Sequence, residues 1–136
     1  LEFVQPGLVL TLVDRRLSTG EIGALVARAD VVLAPYQRFV GSSGVLLWAA
    51  RAGKPLLTQD FGLIGPLVRR YRLGLAVDSD RQEALAAGIV RIVQEGPDRF
   101  IDPQQAHRFV VRNTPERFAA LVFGSAAEAN SISARP

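Results

Sequence analysis

The stretch ADVVLAPYQRFVGSSGVLLWAARAGKPLL, Ala29 to Leu57, constrains the fold more than any other part of the chain. Asp30-Val31-Val32-Leu33-Ala34 is a short apolar run with β-branched residues, the pattern of a fully buried strand. Pro35 ends it, because proline has no N–H to give to a central ladder. A loop runs from Tyr36 to Ser43 and closes on Gly41-Ser42-Ser43-Gly44. From Gly44 the apolar residues Val45, Leu46, Leu47, Trp48, Ala49 and Ala50 continue as a helix to Gly53, a residue suited to a left-handed cap. Lys54-Pro55 stops that helix, and Leu56-Leu57-Thr58 reads as a second buried strand. Strand, glycine-serine loop, apolar helix and strand together predict a parallel crossover.

The loop is also where the chain can do chemistry. A helix start exposes unpaired N–H groups and the positive end of the macrodipole, and small residues let an anion approach the backbone. In open α/β sheets ligands bind beyond the carboxyl ends of the strands, where this loop lies. The residues that would hold an anion are Gly41, Ser42, Ser43, Gly44 and Val45, with Pro35 and Tyr36 lining the pocket. A purely structural role is the other reading: Ser42 or Ser43 is an N-cap, and the glycines permit a tight turn. Asp60, Asp78 and Asp80 fall near strand ends, where the helix dipole gives Asp78 and Asp80 a capping role. Trp48 is read as a packing residue, with a stacking surface at a ligand mouth as the alternative.

The flanking segments repeat the alternation. Pro6-Gly7 is a turn, and Leu8 to Val13 is a strand. Ser18 and Glu21 form a capping box, closed by a staple of Leu17 and Ile22, and Ile22, Leu25, Val26 and Ala29 mark one helical face. A crossover then brings Leu8–Val13 parallel to Val31–Leu33. After the Gln59–Gly62 loop, Gly65-Pro66 opens a short helix with proline at its first position. Leu75-Ala76-Val77 is the fourth strand. Ser79 with Gln82 caps a helix from Asp80 to about Glu95, its buried face being Leu85, Ile89, Ile92 and Val93. Pro103–Val110 and a helix starting at Thr114-Pro115-Glu116, with Phe118, Leu121 and Val122 on one face, close the chain. The predicted fold class is α/β: a Rossmann-like, doubly wound parallel sheet of about four strands with helices on both faces. One domain is expected over residues 1–130, with 131–136 a frayed tail.

Composition excludes several alternatives. The 136 residues are 49% apolar and 21% charged, with a net charge of only +3, as in an ordinary globular domain. No apolar run approaches the ~18 residues of a membrane span, so no transmembrane segment is expected, and a cytoplasmic location is the reading. The absence of cysteine and the lone His107 leave no thiolate or histidine-rich metal site. No metal ligand, cofactor site or catalytic residue is assigned. Arginines dominate the basic residues, but only Arg69-Arg70-Arg72 and Arg15-Arg16 cluster. The others read as solvated helix faces, and no nucleic-acid partner is expected. A Walker loop, a nucleophile elbow with a triad and a dinucleotide fingerprint are all missing.

Asp30, Pro35, Gly41, Leu47, Ala49, Gly53, Pro55, Asp60 and Gly62 carry a family resemblance. From about Val9 to Ala120 the chain resembles the C-terminal, donor-binding domain of group 1, glycogen-synthase-like glycosyltransferases. These are retaining enzymes with two Rossmann-like domains, the GT-B arrangement. The resemblance implies a nucleotide-sugar donor of the UDP- or GDP-sugar class, with its diphosphate at Gly41 to Val45. It also implies transfer to an acceptor held between two domains. Both family glutamates are replaced, by Val40 and Trp48, and the glutamate of the turn at Gly62-Leu63-Ile64-Gly65-Pro66 is absent. A degenerate, non-catalytic binding or assembly module is therefore the alternative. The resemblance and the lack of an initiator methionine imply a missing N-terminal domain, and the chain alone is expected to be inactive.

Overall fold

The computed structural model describes residues 2–5, 7–114 and 116–117. Its centre is a parallel sheet of β3 (Val32–Ala34), β4 (Leu56–Gln59) and β5 (Gly74–Val77), with β4 in the middle. The register pairs Leu33 with Leu57 and Leu57 with Leu75, so these three share one face; Val32, Leu56 and Gly74 share the other. All four residues of β4 are buried, because helices cover it on both sides. On one face lie α2 (Gly44–Ala52), α3 (Ile64–Tyr71) and α5 (Pro103–Arg112), whose Leu46, Ala49, Ile64, Val68, Ala106 and Phe109 meet Leu56 and Leu73 in the core. On the other face α4 (Gln82–Glu95) brings Gly88 against Leu57 and Val77. This is the expected α/β, Rossmann-like arrangement.

All four predicted strands are present, but the first has a different partner. Leu8–Thr11 (β2) pairs antiparallel with Glu2–Gln5 (β1), Phe3 opposite Leu10, and is not bonded to β3. A turn with Gly7 joins two adjacent β-forming runs, and closing a short hairpin costs far less loop entropy than a crossover. Leu8, Val9 and Leu10 stay between 55% and 67% exposed. The edge position of β3 has a similar effect: Leu33, predicted to be fully buried, is 54% exposed.

Helix boundaries follow their caps. α1 (Thr19–Arg28) begins at Ser18 with the predicted capping box: Ser18 Oγ accepts from the Glu21 N–H at 3.3 Å, and the Ser18 N–H donates to Glu21 Oε2 at 2.9 Å. Arg15 Nη2 lies 2.5 Å from Glu21 Oε1. That guanidinium first, then the Ser18 N–H and hydroxyl, holds the Glu21 carboxyl down to about 2. A depressed carboxylate contributes stability that is complete above its unfolded value and lost as pH falls through the folded one. The cap's contribution should therefore fade between pH 4.5 and about 2, measured by thermal melts across that window. Ser18→Ala should cost about 0.5–2 kcal/mol at neutral pH, read by urea denaturation, and leave most of that pH dependence in place, because Arg15 and the residue-18 N–H still hold the Glu21 carboxylate.

Three predicted details of the later helices are corrected. α3 starts at Ile64, so Pro66 is its third residue, tolerated because the N–H there has no intrahelical partner either. α4 starts at Gln82 behind Arg81 with no side-chain cap, because the Ser79 hydroxyl donates to the Tyr36 carbonyl instead. Its buried residues are Gly88 and Ile92; Ile89 and Val93 are exposed because β3 is the last strand on that side. Thr114 Oγ1 accepts from the Arg117 N–H at 3.2 Å, as a helix start there requires. Phe118, Leu121, Val122 and the tail 131–136 lie outside the described residues. No helix among the described residues is long and apolar enough to cross a membrane.

Candidate functional site

The three parallel strands end on one edge, and three loops meet there: Pro35–Ser43 after β3, Asp60–Leu63 after β4, and Asp78–Arg81 after β5. Every residue assigned from sequence to the anion pocket belongs to the first loop or to the helix start it feeds. Ser43 is the N-cap of α2, with extended backbone, and its Oγ accepts from the Val45 N–H at 3.2 Å. The same hydroxyl lies 2.7 Å from the Tyr36 hydroxyl. Tyr36, Ser43 and Val45 are thus tied together by hydrogen bonds. The Leu46 N–H donates to the Ser43 carbonyl at 3.1 Å. Gly44 is exposed, and a Cβ placed on it would meet nothing within 4 Å. Gly41 is covered by the Phe39 ring, whose Cζ lies 3.2 Å from a Cβ placed there. Pro35 and Ser42 face solvent.

The loop is braced from below by a residue whose sequence context reads as loop. Gln59, the last residue of β4, is buried to 1% exposure. Its Oε1 accepts from the Phe39 N–H at 3.1 Å, while its Nε2 donates to the carbonyls of Phe39 and Phe61. The signal for it was a polar residue closing an apolar strand, which must bury its amide with partners or not at all. Thr58 Oγ1 adds a bond to the Ala34 carbonyl at 2.8 Å. The Leu63 N–H reaches the Val40 carbonyl at 3.2 Å. Gly62 makes this approach possible, since a Cβ on it would stand 2.7 Å from the Phe39 oxygen.

Beside the brace is a small cleft of about 90 Å³ lined by Arg38, Gln59, Asp60, Phe61, Asp78 and Ser79 among others. Arg38 has a left-handed backbone (φ 52°) and holds its guanidinium 5.5 Å from the centre of the Phe61 ring. Asp60 pairs with Arg69 across the surface. Asp78 caps its own turn, Oδ1 accepting from the Asp80 N–H at 3.3 Å. The predicted aspartates therefore do stand at strand ends, with Asp60 and Asp78 in local bonds. No group of three or more His, Asp or Glu that could hold a metal ion occurs among the described residues.

Val40 and Trp48, the positions at which the resemblance expects glutamates, are both apolar. Val40 is 68% exposed on the loop. Trp48 is half-buried on the flank of α2, its Cζ3 3.5 Å from a Cβ placed on Gly23 of α1. It is a helix-packing residue, as read from sequence.

No curated protein and no solved structure shows significant similarity to the chain. The sequence model described as Glycosyl transferases group 1 matches residues 7–95, which include β2 through α4 and all three loops of the carboxyl edge. The match covers most of the chain, and by it the protein belongs to the group 1 glycosyl transferases.

Proposed function

We propose that the chain is the donor-binding, C-terminal domain of a group 1 glycosyltransferase, holding the diphosphate of a UDP- or GDP-sugar at the start of α2. One observation carries this reading: an open glycine, Gly44, begins a helix at the carboxyl edge of the sheet. Anions favour such a start because first-turn N–H groups and the macrodipole point at them. The Ser43 hydroxyl already occupies the Val45 N–H. A phosphate oxygen would take the Gly44 N–H and exchange with that hydroxyl, while Tyr36 steadies the displaced serine. Pro35 and Ser42 complete the pocket wall, and Gly41 keeps the loop low under Phe39. No side chain here is assigned to bond breaking.

The expected affinity is weak, about millimolar or −4 kcal/mol, since neither Val40 nor Trp48 can bind a sugar or ribose hydroxyl. An amide-shift titration with uridine or guanosine diphosphate should move residues 41 to 45. Gly44→Val should abolish those shifts without unfolding the chain, because the new side chain enters open space. Shifts clustered elsewhere, or unchanged in the variant, would refute the site.

A second reading is favoured by Trp48, which is committed to packing on α1 where the family has an acid. It makes the chain a degenerate module that binds or assembles without transfer. A nucleoside diphosphate that moves nothing between residues 35 and 45 would select it.

A further inference from the structure

We infer that the cleft between α3 and α5 is a second anion site, taking a ligand that bears more than one phosphate group. It has a volume of about 470 Å³ and is lined by Arg70, Tyr71, His107, Arg108, Arg112 and Arg117 among others. α3 leaves the carboxyl end of β4 and returns to the amino end of β5, so its last turn, with Arg70 and Tyr71, lies at the edge opposite Gly44. The cleft is therefore separate from the proposed donor pocket.

Sequence separates these arginines by up to 47 positions; the fold gathers them. Arg108 and Arg112 stand one turn apart on α5, on the face turned to Arg70. The neighbouring arginines are neutralised locally: Arg69 pairs with Asp60, and Arg72 with Asp102. Among the described residues no carboxylate pairs with Arg70, Arg108, Arg112 or Arg117, and none lines the cleft. Four unneutralised guanidinium groups in one concavity repel one another and focus a positive field. A multivalent anion relieves that repulsion, and the planar fork of arginine matches phosphate oxygens two at a time.

The walls are held rigidly enough to keep this geometry. The Tyr71 and Phe109 rings meet edge to face with centroids 5.1 Å apart, and Phe109 and Ala106 anchor α5 in the core. The Asp102 N–H donates to the Arg72 carbonyl at 2.9 Å, fixing the start of α5 to the end of α3. The ligand's phosphates could belong to a soluble metabolite or to a lipid headgroup, and the test separates the two.

Sodium pyrophosphate is titrated into the chain and followed by amide shifts, alongside sedimentation with phosphatidylcholine vesicles with and without phosphatidylinositol 4,5-bisphosphate. Saturable shifts at Arg70, Tyr71, Arg108 and Arg112 are expected. Arg108→Gln with Arg112→Gln should weaken that binding roughly tenfold or more through lost charge-assisted bonds, at an unchanged melting temperature. Arg28→Gln with Arg51→Gln, an equal charge change on α1 and α2, should leave it intact. Shifts at Gly44 and Val45 report the donor pocket separately, so either site can fail alone. Pyrophosphate binding without sedimentation assigns a soluble ligand. Sedimentation only with the phosphatidylinositol 4,5-bisphosphate vesicles, lost in the Arg108/Arg112 variant, assigns a headgroup. Shifts spread evenly over all arginines, equal weakening by the control pair, or no binding in either assay overturns the site.

Discussion

Gly74→Ala is expected to destabilise the chain by about 3 kcal/mol or more, enough to leave much of it unfolded at ambient temperature. Gly74 opens β5 with φ at +153°, and a Cβ there would stand 2.0 Å from the Leu56 oxygen and 2.5 Å from its nitrogen. Those are backbone atoms of the central strand, so no side chain can rotate aside. Relief requires β5 to move off β4, which breaks the ladder from Leu56–Gly74 to Gln59–Val77. Gly53→Ala is the control. Gly53 also has positive φ, at 66°, but a Cβ there meets nothing within 4 Å, so only left-handed strain of about 1–2 kcal/mol applies. Urea denaturation of both variants separates contact from conformation. Equal losses would mean that β4 and β5 are not packed as described.

Gln59→Glu should be the most damaging isosteric change in the site, costing about 3–5 kcal/mol at neutral pH. The wild-type amide donates to two carbonyls and accepts one N–H. A carboxylate cannot donate, so it would face the Phe39 and Phe61 oxygens as a buried charge. Protonation restores one donor, so the folded state of the variant binds a proton more tightly than the unfolded state. Its stability should therefore rise as pH falls through the carboxylate range and decline as pH increases. Denaturation at several pH values checks the sign. Gln59→Ala, which removes the bonds without adding a charge, should show the smaller loss of about 2–3 kcal/mol and no such pH dependence. Because Gln59 braces the loop that carries Phe39, either variant should also broaden the amide signals of Tyr36 to Val45.

Much of the fold was legible along the chain, for local reasons. The Ser18–Glu21 capping box, the end of α2 at Gly53 and the buried run at Leu56 each depend on a few neighbouring residues, and each is found where it was read. The candidate loop was legible for the same reason: a helix that begins at Gly44 after a strand ending at Ala34 can only start at the carboxyl edge. The details of that loop were not. Ser43 was one of two possible caps, and its choice is made together with Tyr36, whose hydroxyl bonds it from seven residues away.

What the sequence by itself determined is the order of strands and helices from β2 to α5, the Ser18–Glu21 capping box, the Gly53 cap and the apolar runs that make an α/β sheet the stable packing, because turns, caps and periodicity act within a few residues. Tertiary structure alone decided which partner β2 takes, that Ile89 and Val93 stay exposed beside an edge strand, that Gln59 is buried as a brace, and that Arg70 meets Arg108 and Arg112 in one cleft. Each of these depends on groups that are distant along the chain and meet only once the sheet is covered, and pairing, burial and summed charge are properties of that assembled surface rather than of any stretch within it.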